Sequence, residues 1–184
     1  MENIDLSQIK VEDLQLIHFA DPIMKTRPPA FDFEKDGEHA VHLAETLYKK
    51  MLELGGVGLS ANQVGLAYRM FVVGGQDFYK AIFNPLVLGV NKDEDLMEEG
   101  CLSFPGFFLT LRRPKSVLLQ FQDEKGETHS GTFEGVGARI ILHEYDHMEG
   151  INFTNHASTF KLKHELNKWK KKQQKLLRKL KNGR

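Results

Sequence analysis

The chain is expected to fold as an α+β domain. Three observations predict it: an apolar pattern of helical period in the first third, a central series of short apolar or alternating runs separated by turn residues, and a second helical pattern after them. The joints between the central runs are short enough for hairpins, so the strands should pair antiparallel.

The elements follow in order. Residues 1–35 form an irregular lead with a short helix near Val11 to Leu14, interrupted by Pro22 and by the Pro28-Pro29 pair. From Glu38 to Leu54, the residues Ala40, Ala44, Leu47, Met51 and Leu54 recur at three- and four-residue intervals, which marks an amphipathic helix stopped by Gly55-Gly56. The runs YRMFVVG, AIFNPLVLGV, SVLLQFQD and THSGTFEG then read as strands, with EKG turning the last two into a hairpin. A second helix is expected from Val136 to Glu149, and a basic helical tail closes the chain.

With 184 residues and no internal repeat, the chain suits one core-bearing body, and 41% hydrophobic with 27% charged residues is ordinary for a water-soluble fold. No apolar run approaches the length of a membrane span. The opening MENIDLSQIKVED is acidic and lacks the marks of a signal or transit peptide, so a reducing cytoplasm is expected. Cys101 stands alone, which excludes an intrachain disulfide and leaves it as core filler, nucleophile or ligand.

A net charge of zero conceals a division. Residues 158–184 carry eleven of the 25 Lys/Arg and one of the 25 Asp/Glu, leaving 14 basic and 24 acidic residues in 1–157. We therefore expect an acidic body, 1–157, and a basic helical extension, 158–184. In the extension Leu162, Leu166, Trp169, Leu176 and Leu180 fall into one stripe among lysines. The stripe fits a helix docked on the domain, and the lysines fit a solvated face or a polyanion such as RNA.

The stretch LHEYDHMEG carries the sharpest chemical signal. On a helix His143 and His147 lie one turn apart on the same side, where two imidazoles can hold one metal ion. Glu144 is about 100° round from His143, placed to exchange a proton with a water at such an ion. Ala138, Ile141, Tyr145 and Met148 form an apolar stripe to bury the opposite side, and Gly150 suits the left-handed residue after the helix. A helix carrying these three residues without a metal is the plain alternative.

A catalytic zinc-type site takes three protein ligands. The pattern HExxHxxGxxH fails here, because Gly150 matches but Phe153 occupies the last position. Glu165 lies among lysines, where a helix-face pair is the simpler role. Cys101, in EEGCLSFPG, offers a thiolate, and the neighbouring Gly100, Ser103 and Pro105-Gly106 indicate a shaped loop, although a lone cysteine reads first as core filler. The glycine-rich GGVGLSANQVG matches neither GxxxxGK[ST] nor GxGxxG, which argues against phosphate binding. It can bring backbone close to a substrate and presents the Gln63 carboxamide to a developing oxyanion, or it is simply a helix end and a loop.

Taken together and in order, GVGLSANQ (56–63), EGCLS (99–103) and LHEYDH (142–147) resemble the motifs of the peptide deformylase family, and similarity extends over most of residues 16–156. The resemblance implies antiparallel sheets packed around a central metal-binding helix carrying HExxH, with an N-terminal helix and a C-terminal basic helix. It makes Cys101, His143 and His147 the metal ligands and Glu144 the general acid and base. Gln63 and the backbone N–H of Leu102 would bind the oxyanion. Gly56, Val57, Gly58, Met97, Val136 and Ile140 would line the substrate site, with Arg139 along its rim, head group in water.

The implied reaction is hydrolysis of the N-formyl group from the initiator methionine of new polypeptides, with Fe2+ as the metal, or Zn2+, Ni2+ or Co2+. Another metal-dependent amidase or peptidase, and an idle ribosome- or RNA-binding protein, are the competing readings. The implied partners are formyl-Met nascent chains and, through residues 158–184, ribosomal RNA; neither membrane nor DNA is expected. Three positions depart from the family pattern: Ser60 for alanine, Leu142 for glutamine, and Met148 for leucine. Leu142 removes a polar side chain beside the ligands and is expected to affect activity; Met148 conserves volume and should be nearly silent. Asp146 is expected to pair with Arg113, to orient His147, or simply to face solvent.

Overall fold

The structure, a computed structural model, describes residues 5–182 and side chains as far as Lys179. The tail positions Leu180, Lys181 and Arg184 therefore lie outside the described side chains. After 3-10 turns at Val11–Asp13 and Pro22–Lys25 come α1 (Phe33–Asp36) and α2 (Ala40–Glu53). Seven strands follow: β1 (Gly58–Ser60), β2 (Met70–Gly74), β3 (Tyr79–Val90), β4 (Glu94–Gly100), β5 (Phe108–Pro114), β6 (Ser116–Gln122) and β7 (Thr128–Glu134). Two helices close the chain, α3 (Gly135–Met148) and α4 (Thr159–Asn182).

The strands make two antiparallel sheets, one of five in the order β1-β2-β3-β6-β7 and one of two, β4-β5. The α+β expectation and the hairpin between β6 and β7 hold. Three strands were not foreseen. β1 is only GLS, too short for an alternating pattern, and β4 is EDLMEEG, whose carboxylates have low strand propensity. β5 alternates buried and exposed residues, but it follows closely on Pro105-Gly106, which read as a loop. The first helix begins two residues later than expected, since Gly37–His39 winds as a 3-10 turn.

Burial explains the arrangement. Ala40, Leu43, Ala44, Leu47 and Met51 of α2 pack with Leu59, Met70, Val72, Ala81 and Phe83 on one side of the large sheet. On the other side Ala138, Ile141, Leu142 and Met148 of α3 meet Phe71, Ile82, Val117, Leu119 and Phe121. Successive residues of β2 thus serve opposite cores, as the two-residue period of a strand requires. Fully burying a side chain of this size stabilises by roughly 1.5–3 kcal/mol, so α3 is fixed by its apolar side while its polar side stays available.

The helix ends where Gly150 adopts φ 69°, and a Cβ there would come within 2.8 Å of the Lys25 carbonyl oxygen. The Arg69 guanidinium donates to the Met148 carbonyl at 2.6 Å and to Glu149 at 2.5 Å, satisfying the terminus with a cation.

A third apolar cluster joins Cys101, Phe104, Phe107, Leu109, Leu111 and Phe153. Leu162, Leu166 and Trp169 of α4 pack on it, and the Trp169 indole donates to the Pro105 carbonyl at 3.2 Å. The stripe ends there. Leu176 and Leu177 are 53% and 57% exposed, so the second half of α4 leaves the body.

Candidate active site

Four segments converge on one point. β1 carries Gly58 and Ser60, the 3-10 turn Ala61–Val64 carries Gln63, the turn leaving β4 carries Cys101, and α3 carries His143, Glu144 and His147. One Cys101 Sγ and one ring nitrogen from each histidine all lie within 4.8 Å of one another. Sγ stands 3.4 Å from His147 Nε2, and the two imidazoles are nearly perpendicular with centroids 5.2 Å apart. The expected loop at Cys101 is a tight turn, closed by a hydrogen bond from the Phe104 N–H to the Cys101 carbonyl at 2.9 Å.

Partners around the triad hold it in place. Glu99 Oε2 lies 3.3 Å from His143 Nδ1 and accepts from Arg113 Nη2 at 2.9 Å. Its other oxygen accepts from Arg113 Nε at 2.9 Å and from Arg139 Nη1 at 2.6 Å. Asp146 Oδ2 accepts from Arg113 Nη1 at 2.7 Å and lies 2.8 Å from His156 Nε2. A contact on the far nitrogen of a histidine selects which nitrogen faces inward and stiffens the ring.

The electrostatics follow from burial and these contacts. Burial would raise the Glu99 carboxyl, but its hydrogen bonds to His143 and Arg113 and the arginine charge bring it down to about 2. Burial alone would lower His143; the hydrogen bonds of Cys101 and Glu99 and the charge of Glu144 raise it to about 10. His147, fully enclosed, is pushed well below the ordinary range by burial and by the charges of His143 and Arg113, and remains a neutral donor ring. Burial raises Glu144, partly offset by His143 and by the Ser60 hydroxyl. Once His143 releases its proton to the incoming ion, a thiol, a neutral imidazole and a second imidazole backed by a carboxylate, with another carboxylate alongside, are a donor set and a field that suit a divalent cation.

Beside the triad opens a cleft of about 750 Å3, mostly apolar. Gly56, Val57, Gly58, Gln63, Met97, Cys101, Leu102, Val136, Ile140, His143 and Glu144 line it, so every proposed substrate position is there. Gln63 is held from both ends. Its Oε1 accepts from the Ser60 N–H at 2.9 Å, and its Nε2 donates to Ser103 Oγ at 3.2 Å and to Cys101 Sγ at 3.3 Å.

Several expectations need correction. Arg139 does not reach water: it is 6% exposed, and its guanidinium bonds Glu99, the Leu111 carbonyl at 3.1 Å and the Asp95 carbonyl at 2.6 Å. The carboxylate of Glu99 draws it inward, and the buried pair offsets its desolvation. Of the alternatives for Asp146 the pairing with Arg113 holds: the residue is buried and serves Arg113 and His156, not solvent and not His147, whose Nδ1 has no partner among the described residues. Leu142 faces the apolar cluster of α3 and not the cleft.

Phe153 is fully buried, and Glu165 bonds Lys168 at 3.0 Å on the surface of α4. Glu99 and His156 were overlooked as supports. The repeated acid beside Cys101 in the EEGC run was the available signal for Glu99; His156 had none, since only the turn after α3 brings it back.

Comparisons with known proteins give the chain its family. Residues 14–163 match the family model described as polypeptide deformylase. The chain is 35% identical over 144 residues to a peptide deformylase of Thermotoga petrophila, covering 78% of this chain and 86% of the relative. Among solved structures, the Thermotoga maritima peptide deformylase superposes with a TM-score of 0.74 at 32% identity, over 79% of this chain and 97% of that one. A Met-Ala-Ser-bound class I type b peptide deformylase from Acinetobacter baumannii gives a TM-score of 0.74 at 28% identity, over 78% and 98%.

Proposed function

Since the chain belongs to the peptide deformylase family, we propose that Cys101, His143 and His147 hold its metal, that Glu144 carries the proton and that the adjoining cleft takes the methionine. The protein is a metal-dependent hydrolase that removes the N-formyl group from the initiator methionine of nascent polypeptides and releases formate. The observation that carries the residue assignment is the convergence of one thiol and two ring nitrogens within 4.8 Å, next to Glu144, at the edge of an apolar cleft.

A divalent ion held by these ligands supplies Lewis acidity, polarising the formyl oxygen and making a water at the site easier to deprotonate. Glu144 accepts the proton of the attacking water as its oxygen bonds to the formyl carbon. It returns the proton to the amide nitrogen as the C–N bond breaks, giving formate and a free amine. Burial raises its carboxyl above the ordinary range. Gln63 Nε2, placed by Ser60 and Ser103 and giving up its bond to Cys101 Sγ, and the Leu102 N–H donate to the oxygen that gains charge. Met97, Val136 and Ile140 offer the methionine chain an apolar wall, and Gly56, Val57 and Gly58 form the facing edge.

A thiolate with two imidazoles suits Fe2+, with Zn2+, Ni2+ and Co2+ as substitutes. In this reading residues 1–157 are the catalytic body and 158–184 a basic extension. The extension contacts ribosomal RNA, supported by the exposed Lys170, Lys171, Lys172, Lys175, Arg178 and Lys179. The enzyme works in the cytoplasm, where new chains emerge and Cys101 stays reduced.

The test is formate release from a formyl-Met peptide, assayed anaerobically with Fe2+ or Ni2+, beside Glu144→Ala. Release by the wild type and loss on the order of a hundredfold or more in the variant are expected; a fully active variant would overturn the role of Glu144.

A further inference from the structure

Ser60 stands where the family pattern has alanine, and its hydroxyl is not idle. Ser60 Oγ donates to Glu144 Oε2 at 2.5 Å, with Ser60 fully buried and Glu144 4% exposed. The other carboxylate oxygen lies against Gly58, where an added Cβ would come within 2.5 Å of it. Oε1 has no hydrogen-bond partner among the described residues, and Glu144 lines the cleft. A single strand, β1, therefore grips the carboxylate from both sides. Meanwhile the Ser60 N–H bonds Gln63 Oε1 at 2.9 Å, which turns the Gln63 amide nitrogen towards Cys101.

We propose that Ser60 is a positioning residue for this deformylase: its hydroxyl fixes Glu144 so that Oε1 is the oxygen that exchanges the proton, while its backbone sets Gln63, joining the proton carrier and the oxyanion donor in one residue. Ser60 keeps its own proton throughout. Without the hydroxyl, Glu144 keeps its place on α3 but loses the partner that selects its rotamer. A buried carboxylate with one oxygen tied can present only the other to a reacting group, and a misdirected base slows the chemical step more than it weakens substrate binding. The assignment rests on Glu144 as proton carrier.

The experiment is a double-mutant cycle in the full, metal-loaded chain, with Ser60→Ala, Glu144→Gln and the double variant. Each is assayed for kcat, KM, metal content and thermal melting. Ser60→Ala should fold and bind metal as the wild type does, and lose on the order of tenfold in kcat at unchanged KM. The same substitution in the Glu144→Gln background should cost no more than twofold, and its effect on Tm should shrink likewise. A kcat within twofold of wild type for Ser60→Ala would overturn the proposal. So would an equal loss in both backgrounds, which would make Ser60 mere packing. Failure of Glu144→Gln to impair the enzyme would instead remove the assignment of Glu144, a separate result.

Discussion

Glu99 Oε2 lies 3.3 Å from His143 Nδ1, while the same carboxylate binds Arg113 through both oxygens and Arg139 through one. One acid thus links a proposed metal ligand to two buried cations. It ties α3 to the two-stranded sheet, since Glu99 is on β4, Arg113 on β5 and both His143 and Arg139 on α3.

Replacing Glu99 by Gln keeps the shape and removes the charge. Arg113 then keeps only Asp146 as a carboxylate partner and Arg139 only the Leu111 and Asp95 carbonyls, and removing one member of a buried charge network costs about 3 kcal/mol. We expect that loss in chemical denaturation, together with roughly 10- to 100-fold weaker metal binding from a His143 ring less firmly held. Competition with a chromogenic chelator measures the second effect; unchanged affinity would separate Glu99 from the metal site.

Leu142→Gln restores the family's usual residue and should nonetheless harm stability more than catalysis. The side chain is 8% exposed within an apolar cluster, and a polar group there without a partner costs roughly 1–3 kcal/mol. Because Leu142 does not line the cleft, kcat should stay within about twofold. A large change in kcat at unchanged Tm would refute this.

The tail divides at Trp169. Trp169→Ala removes the ring that meets Phe107 at 5.8 Å and the bond to Pro105, which should cost about 2–3 kcal/mol and loosen the turn bearing Cys101. Truncation after Gln173 spares those contacts and removes Lys175, Arg178, Lys179, Lys181 and Arg184. Formate release should then be unchanged while ribosome binding, measured by co-sedimentation, weakens and loses part of its salt dependence. Sedimentation equal to the full chain at every salt concentration would exclude RNA contact through the distal helix.

Chelation should lower Tm by several degrees, because a ligand bound only to the folded chain adds to its stability. The candidate ligands bridge α3 and the turn after β4, so hydrogen exchange should rise at both. No shift in Tm on adding Ni2+ to chelated protein would count against the three-residue site.

Helical and strand periodicity in this sequence reported burial faithfully. The stripe on α2 was legible because that helix hides one face and shows another, the stripe on α3 because its apolar residues meet the large sheet while its buried polar residues face the site, and the β6–β7 hairpin because turn residues join its strands. His143, Glu144 and His147 were legible as a set because a helix converts a spacing of four into adjacency. Cys101 became a candidate ligand through its loop and the family motif, being 42 residues from His143 in the chain. β1 and β4 were hidden, the first by glycine and brevity, the second by carboxylates whose partners lie elsewhere in sequence.

What the sequence determined by itself, then, was local and periodic: the helices, most strands, the pair of histidines with its glutamate, and the division between acidic body and basic tail. Only the tertiary structure decided the partners. Arg139 turns inward to Glu99, Asp146 is committed to Arg113, Leu142 belongs to a core, and Ser60 reaches Glu144 across 84 positions of chain. Periodicity encodes which face of an element is buried, whereas a hydrogen bond between buried polar groups depends on which elements the packing brings together.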